Sequence, residues 1–398
     1  MERVKLRDIT SKLQSGDGIK AGKIFEEGLF PVFGGNGLRG YTDTFNQDGE
    51  YFFIGRQGAK CGNVHYNIGK AFMTEHAVVG CPKEGYDAVY LAYKLSLLDL
   101  GKLQGQSAQP GLAVGTLADV ELEIPEYRTQ HDIGKLLYNI DQKISLNTRM
   151  NAELEAMAKQ LYDYWFVQFD FPDVNGKPYK SSGGKMVWNE NLKREIPEGW
   201  EVKELDDCIK HINTGLNPRQ NFVLGNGDIK YLTVKNLRSD GTIDFSNCDV
   251  IDEEARKKVH RRSDIQVNDI LFASIAPLGR SHLILKEPKD WDINESVFSI
   301  RPDVELVSPY YLFIYFMSNW FVQKAEKESA GSIFAGIRVN SLLNIPIIVP
   351  HNNIQNLFNK VVESNFLKRD SLSSEIYHLT HLRDSLLPML MNGQVTIE

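Results

Sequence analysis

This sequence has few cysteines, and they are not spaced for a metal or redox role. None of the four falls within a C-x-x-C spacing, which argues against a zinc knuckle and against a redox pair. We therefore expect reduced and mostly buried thiols at all of these positions. The cysteines are Cys61, Cys81, Cys208 and Cys248.

A long apolar run is also missing. The longest apolar stretch, residues 309–322, contains Ser318 and Asn319 and is shorter than the roughly 20 residues of a membrane helix. The first eight residues are charged and lack the apolar core of a signal peptide. We therefore expect a cytosolic protein that does not associate with membranes.

Motifs of nucleotide-dependent enzymes are absent as well. The chain has no G-x-x-x-x-G-K-[ST] loop and no Asn-Pro-Pro or Asp-Pro-Pro run of amino-methyltransferases. The run 33–37 is glycine-rich, but no acidic residue follows it in a strand–helix unit that could bind a nucleotide cofactor. His378 and His381 are spaced for one helix face, which is more typical of a half-exposed surface than of a zinc site. The sequence therefore predicts no catalytic and no metal-binding residues.

An excess of positive charge is missing too. The chain has a formal net charge of −7. Residues 1–124 hold 13 basic and 15 acidic side chains, and residues 200–350 hold 18 and 21. This balance argues against a protein that binds nucleic acid through a general basic field. Any such affinity must come from local basic patches or from partner subunits.

What the chain does contain is an internal repeat. Residues 111–125 align without gaps with residues 336–350, at an offset of 225 positions. Each copy begins with glycine, ends in alternating apolar positions followed by proline, and so predicts a strand. The offset continues from Gln130 to Gln355, and a gapped match relates residues 74–78 to 294–298. The sequence therefore predicts two copies of a mixed domain followed by a helix.

Two long helices are predicted from the apolar spacing. Residues 127–167 and 352–390 show apolar residues at alternating intervals of three and four, the pattern of a coiled-coil seam. Asn147 and Asn151 fall at successive seam positions, where a buried asparagine costs stability but defines the register. Each helix would span roughly 60 Å at about 1.5 Å per residue. The seam residues are Ile133, Leu137, Ile140, Ile144, Leu154, Leu161, Phe358, Val362, Leu372, Ile376, Leu379 and Leu386.

The two helices are expected to pack against each other. Neither can bury a full apolar stripe alone, and the domain between them favours an antiparallel pair with a pseudo-twofold relation between the halves. Two independent helices, each lying on its own domain, are the alternative. The predicted fold is α+β, with domains at 1–124 and 198–350, helices at 125–168 and 351–398, and a Gly-, Pro- and Ser-rich linker at 169–197.

This organisation resembles the specificity subunits of Type I restriction–modification enzymes. The segments 30–37 and 54–64 are similar to parts of the family's first domain. The segment 176–186 resembles the family's hinge, and Ile196-Pro197-Glu198-Gly199-Trp200 resembles the start of its second domain. The helix openings at Gln130 and Gln355 also match. The resemblance covers nearly the whole chain.

The resemblance implies a non-catalytic subunit that binds double-stranded DNA. Each target-recognition domain would read one half of a split, asymmetric target, and the helix pair would set the gap. Two modification subunits, which bind S-adenosylmethionine and methylate adenine, would dock on the helices. Restriction subunits, which use ATP and Mg²⁺, would complete the enzyme. No cofactor is expected in this chain itself.

Base reading needs Arg, Lys, Asn, Gln and similar polar side chains on exposed loops. In the first domain the candidates are Arg39, Arg56, Gln57, Lys60, Asn63, His65, Gln106, Ser107 and Gln109. In the second they are Lys235, Asn236, Arg238, Arg280, Ser281, His282, Ser332 and Arg338. The densest basic cluster, suited to phosphates, is Arg256, Lys257, Lys258, Arg261 and Arg262.

The sequence is also compatible with two other functions. A self-standing duplicated DNA-binding or scaffold protein would have no methyltransferase partner. A nuclease would cleave DNA with a divalent metal and without partners. Co-purification with a methyltransferase subunit would separate the first interpretation from these two.

Overall fold

A computed structural model describes residues 2–58, 60–104, 111–329 and 336–397. The chain divides into two compact units, Met1–Ile144 with His378–Glu398, and Ser145–Tyr377. Each unit contains one globular domain and part of both long helices. No helix within the described residues is long and apolar enough to cross a membrane.

In its described residues the first domain is built from short strands and three short helices, and it lies wholly in the first unit. In chain order its elements are β1 (Glu2–Lys5), α1 (Leu6–Ile9), β2 (Thr10–Ser15), β3 (Phe30–Gly34), β4 (Gly37–Thr42), β5 (Glu50–Gly55), β6 (Val64–Ile68), β7 (Phe72–Met73), β8 (Ala77–Pro82), α2 (Ala88–Ser96), α3 (Val114–Ala118) and β9 (Glu121–Ile124), with 3-10 turns at Ala21–Lys23 and Leu100–Leu103.

The first long helix and a hairpin follow. Helix α4 (Tyr127–Tyr162) continues into a π-helical turn at Asp163–Val167. Strands β10 (Met186–Asn189) and β11 (Arg194–Pro197) then form an antiparallel hairpin inside the predicted linker. The linker is therefore not a plain loop. Phe169 and Phe171 are buried at its start, and Phe171 stacks on Trp200 with ring centroids 4.8 Å apart.

The second domain and the second long helix complete the chain. Their elements are β12 (Glu201–Glu204), α5 (Leu205–Cys208), β13 (Ile209–Thr214), β14 (Ile229–Leu232), β15 (Asp249–Ile251), α6 (Glu253–Ser263), β16 (Ile270–Ala273), β17 (Ser281–Leu283), β18 (Trp291–Ile293), β19 (Val297–Pro302), α7 (Pro309–Met317), α8 (Asn319–Ser329), α9 (Val339–Leu343), β20 (Pro346–Val349) and α10 (Asn352–Met391), with a 3-10 turn at Val234–Asn236.

The sheets of the two domains have the same topology. In the first domain the orders are β2-β8-β5-β6, β4-β3-β7 and β1-β9; in the second they are β13-β19-β16-β17, β15-β14-β18 and β12-β20. In both three-stranded sheets the central strand pairs parallel with one neighbour, β7 or β18. Both four-stranded sheets also carry a register shift near the start of their first strand. The predicted α+β fold and internal repeat are therefore confirmed.

One inner strand of each four-stranded sheet lies between two hydrophobic cores. In β5, Phe52 and Ile54 face a core that contains α2, and Tyr51 and Phe53 face a second core. Successive side chains of a strand point to opposite faces, so a strand covered on both faces reads as a continuous apolar run. Strand β16 repeats this division between two cores.

The long helices pair within the second unit. Asn147 Nδ2 donates to Glu375 Oε2 at 2.9 Å, and Asn151 Nδ2 donates to Ser373 Oγ at 3.1 Å. Further along α4, the ring of Trp165 lies 5.8 Å from that of Phe358. Residues later in α4 contact residues earlier in α10, so the helices are antiparallel.

They also pair within the first unit. Ile133 and Leu137 of α4 belong to one core with Leu390 and Met391 of α10. Arg383 Nη1 forms an ion pair with Asp141 Oδ1 at 2.9 Å, so the order is again reversed. The alternative of two independent surface helices is thereby excluded.

The predicted seam residues lie on the covered side of the helices. The buried ones are Ile133, Leu137, Ile140, Phe358, Val362 and Leu372. The partly buried ones are Ile144, Leu154, Leu161, Ile376, Leu379 and Leu386.

Candidate DNA interface

In the first domain two hairpin ends lie side by side. The turn between β3 and β4 contains Gly35, where an added Cβ would lie 2.8 Å from the carbonyl oxygen of His76 and 3.4 Å from the Cα of Gly55. Only glycine allows this close approach. The turn therefore packs directly against the end of β5 and the segment before β8. The two segments that resemble the family's first domain are brought together here.

The backbone at the end of β5 is held on both sides. The amide of Arg56 donates to His76 O at 2.9 Å, and the amide of Leu112 donates to Arg56 O at 2.9 Å. Gln57 then forms an antiparallel bridge with Gly111. We call this set of backbone hydrogen bonds the frame of the domain. It fixes the backbone from which the loop after β5 begins.

The candidates in the first domain differ in how free they are. Arg39, Gln57, Lys60 and Asn63 are exposed. Arg56 is not free for DNA in this conformation, since its guanidinium donates to Leu112 O at 3.2 Å and to Ser15 Oγ at 3.1 Å. Gln106, Ser107 and Gln109 lie outside the described residues.

His65 is partly withdrawn from the surface. Its ring stacks on Phe53 with centroids 5.1 Å apart, and its burial lowers the pKa of His65 below the ordinary value. The neutral ring is therefore part of the domain's packing, which differs from the exposed position expected of a base reader.

The second domain repeats this frame with other side chains. The amide of Ser274 donates to Ser296 O at 3.0 Å, and that of Ile337 donates to Ser274 O at 2.8 Å. Ile275 forms the antiparallel bridge with Gly336. Arg56, Gln57 and His76 of the first domain thus correspond to Ser274, Ile275 and Ser296.

Two candidates in the second domain are buried, contrary to the expectation of exposed loops. Asn236 is 1% exposed, and its amide binds the backbone of Thr233 and of Asp244. Ser281 lies in β17 with no exposed surface. Both side chains use their polar groups in hydrogen bonds within the domain, which offset the cost of their burial, so neither is available to read a base in this conformation.

The remaining candidates in this domain are at least partly accessible. Lys235 and Arg238 are exposed and lie near the carboxylates of Asp249 and Asp244, at 3.7 and 3.0 Å. Arg338 is exposed at the start of α9. Arg280 and His282 are partly buried, and Ser332 lies outside the described residues.

His282 makes a local contact. Its Nδ1 lies 2.9 Å from the carbonyl oxygen of Gly241, and burial lowers the pKa of His282. The side chain is therefore neutral near pH 7 and is engaged with the loop that precedes β15.

The basic cluster lies on α6. Ala255, Val259 and Ser263 face the interior, whereas Lys257 and Arg261 are exposed one helical turn apart. Lys258 and Arg262 are exposed next to them. Arg256 is partly buried and donates to Pro288 O at 2.9 Å. Residues 43–49, between β4 and β5 of the first domain, are all described and contain no helix. Helix α6 therefore has no counterpart in the first domain.

A buried carboxylate anchors this helix. Asp292 has no exposed surface and accepts hydrogen bonds from Ser263 Oγ at 2.6 Å and from the amide of Ile293 at 2.8 Å. Its Oδ2 also lies 3.1 Å from His260 Nδ1. Burial raises the pKa of Asp292. The helix therefore presents its basic face from a fixed position.

Sequence reasoning missed His76 and Asn36 as surface candidates. His76 Nδ1 lies 3.1 Å from Gln57 Oε1, and Asn36 is exposed in the turn beside it. His76 falls in the repeated block 74–78, which was the available signal. Within the described residues, no group of three or more His, Cys, Asp or Glu side chains is placed to hold a metal ion.

Comparisons with known proteins agree with this architecture. A family model described as the Type I restriction modification DNA specificity domain matches residues 1–156 and 197–367. The Type I restriction enzyme MjaIX specificity subunit of Methanocaldococcus jannaschii is 27% identical over 322 residues, which cover 80% of this chain and 71% of that protein. The EcoprrI specificity subunit of Escherichia coli is 40% identical over 134 residues, which are 33% of each chain.

A solved structure shares the fold. The S subunit of a Type I restriction–modification system from M. genitalium superposes with a TM-score of 0.66 and 17% identity, over 98% of this chain and 95% of that one. The family model matches each half separately, in keeping with the repeated sheets. Since its two matches together cover most of the sequence, the chain belongs to the Type I restriction modification DNA specificity domain family.

Proposed function

We propose that this chain is the DNA-reading subunit of a Type I restriction–modification complex, in which each domain reads one half of a split target. The observation that carries the proposal is the repeated frame with different side chains. The same backbone bonds place Gln57 and His76 in one domain and Ile275 and Ser296 in the other. Equivalent frames with unlike side chains suit two unlike half-sites.

Affinity for the duplex must come from local features, since the chain carries a net charge of −7. The exposed face of α6 supplies them: Lys257, Lys258, Arg261 and Arg262 lie on one solvent-facing side. Lysine and arginine near the duplex neutralise phosphates and release counterions. These contacts would orient the second domain without reading sequence.

The helix pair is proposed to set the gap between the half-sites. Within each unit, buried apolar residues and the Arg383–Asp141 or Asn147–Glu375 contacts join the two helices. A stiff pair of helices sets a spacing that a flexible linker cannot. Readers that meet one face of a duplex need a spacing related to the helical repeat of about 34 Å.

Methyltransferase subunits are proposed to dock on the helices. Met157 of α4 and Leu382 of α10 are 225 positions apart and are 57% and 46% exposed. Large apolar side chains exposed at equivalent positions favour two copies of one partner. Catalysis, with S-adenosylmethionine, and DNA translocation, with ATP and Mg²⁺, would belong to partner subunits.

The test is to map methylated adenines in host DNA with and without this chain, in the presence of its methyltransferase partner. The proposal predicts a split motif that disappears without the chain. Exchanging residues 1–124 for those of another reader should change one half-site and leave the other. Specific DNA binding by the chain alone, with no methyltransferase recovered on co-purification, would instead support a self-standing DNA-binding protein. Metal-dependent cleavage by the isolated chain would support a nuclease.

A further inference from the structure

Resting on the proposed function, we infer that Gln57 reads an adenine in the half-site of the first domain, and that His76 holds its amide in the reading orientation. Gln57 is exposed at the end of β5, beside the turn that contains Asn36. Gln57 would determine specificity, and His76 would position it.

The backbone of Gln57 is fixed before any DNA arrives. The main chain of Arg56 donates to His76 O and accepts from the amide of Leu112. Its guanidinium donates to Ser15 Oγ and to Leu112 O. Gln57 itself is bridged to Gly111. A reading side chain discriminates best when its supporting residues are already in place.

The side chain is also constrained. His76 Nδ1 lies 3.1 Å from Gln57 Oε1, and His76 Nε2 lies 3.4 Å from Glu75 Oε1. With protons on both ring nitrogens, Nδ1 donates to the glutamine oxygen and Nε2 faces the carboxylate. On the other side, an added Cβ at Gly111 would lie 3.5 Å from Gln57 Cγ and 4.0 Å from Nε2. Gln57 therefore lies between the imidazole and the backbone of Gly111, and an imidazole that donates from Nδ1 selects the amide orientation with its oxygen toward the ring.

This orientation matches adenine. The amide oxygen has a second lone pair that accepts from adenine N6, and Nε2 has hydrogens that donate to N7. Guanine presents two acceptors, O6 and N7, on the same edge, so an oriented amide would set oxygen against oxygen. The pair is therefore selective for adenine among the purines.

The second domain lacks the pair at the equivalent position. Ile275 and Ser296 occupy the same frame, with neither an amide nor an imidazole. The adenine reader thus belongs to one domain, and the second domain supplies a tolerated replacement for the positioning residue. His76→Ser introduces a side chain that this frame already accommodates.

The test uses the full chain in complex with its methyltransferase partner, and duplexes in which each base of the mapped motif is varied in turn. In Gln57→Glu, which keeps the side-chain shape, adenine preference at one position of one half-site should fall about 5- to 150-fold, and cytosine should be gained because a carboxylate accepts from cytosine N4. In His76→Ser the same position should lose several-fold of its discrimination while the motif is otherwise kept. Gln14→Ala, an exposed glutamine on β2, is the matched control and should change nothing.

The outcomes separate this inference from the proposed function. If Gln57→Glu retains the wild-type motif at every position, the inference is wrong, although the chain still reads DNA. If His76→Ser retains full discrimination, His76 has no positioning role. If the wild-type complex shows no sequence-dependent binding or methylation, both the proposed function and the inference fail.

Discussion

Gln130 and Gln355, which lie 225 positions apart, share two equivalent hydrogen bonds at the start of the two long helices. Gln130 Oε1 accepts from the amide of Asp87 at 3.2 Å, and its Nε2 donates to Pro125 O at 2.9 Å. Gln355 Oε1 accepts from the amide of Ser308 at 2.8 Å, and its Nε2 donates to Pro350 O at 2.9 Å. Both glutamines are buried. Each joins the helix to the residue that caps the preceding domain helix, α2 or α7.

Gln130→Ala and Gln355→Ala should each lower the free energy of unfolding by about 1–3 kcal/mol, because each leaves a buried amide and a buried carbonyl without partners. Denaturant unfolding of the full chain measures the loss. Gln142→Ala, at an exposed position of α4, is the control and should stay within about 0.5 kcal/mol of the parent. Equal stability of the buried and exposed variants would contradict the role assigned to these hydrogen bonds.

The Asn147–Glu375 contact should define register at the expense of stability. Asn147 has no exposed surface, and its Oδ1 is buried without a hydrogen-bond partner among the described atoms. The double variant Asn147→Leu with Glu375→Leu should raise the melting temperature and broaden the gap length of the methylated motif, because a polar seam residue specifies register at a cost in stability. Thermal melting and methylation mapping check the two effects. A lower melting temperature with an unchanged gap would contradict the prediction.

The basic face of α6 should account for part of the salt dependence of DNA binding. Lys257→Gln with Arg261→Gln removes two exposed charges, so the slope of log K against log salt should decrease in magnitude by about 1.8, at about 0.9 for each phosphate contact. Sequence preference should be unchanged, because phosphate contacts carry no base information. Binding titrations of the assembled complex at several salt concentrations measure the slope.

The control for α6 removes a single exposed charge outside that helix. Lys180→Gln removes one exposed positive charge from the linker and should leave the slope at the parent value. A slope that is unchanged in the α6 variant, or that falls equally for Lys180→Gln, would show that this helix does not contact the duplex.

Burial of His65 should make the first unit sensitive to acid. Because burial lowers the pKa of His65, the unfolded chain takes up a proton at the ordinary value of 6.5 and the folded chain takes it up only at lower pH. The unfolded state therefore binds more protons, and the free energy of unfolding falls as the pH drops through about 6.5. The loss should be smaller in His65→Phe, since phenylalanine can stack on Phe53 without titrating.

Unfolding at pH 7.5 and at pH 5.5 measures this difference. His351→Gln, at an exposed histidine of the second unit, should retain the parent's acid sensitivity. An unchanged dependence on pH in His65→Phe would show that His65 does not contribute to it.

Much of the fold was predictable because its causes are local or periodic. The apolar spacing predicted α4 and α10, whose observed bounds are Tyr127–Tyr162 and Asn352–Met391. The repeated strand–proline–helix block predicted two copies of one domain, which the sheet orders confirm. The individual DNA contacts remain predictions.

The candidate site was less predictable, because exposure depends on residues distant in sequence. Asn236 has a residue type suited to base reading, but it is buried within its own loop. Arg56 is tied to Leu112 and Ser15, so its charge is unavailable in this conformation. His76 became a candidate through its contact with Gln57, which lies 19 positions away.

The sequence by itself determined that a domain-and-helix unit occurs twice, because helical periodicity and strand alternation depend only on residues close together in the chain. Only the tertiary structure decided what each helix end contacts. Lys94 Nζ donates to Met391 O at 2.7 Å, and so ties the end of α10 to the first domain across 297 positions. It also decided which polar side chains face solvent. The helix-end contacts and the exposure of polar side chains both depend on packing between distant segments. Such packing leaves no periodic pattern in the sequence.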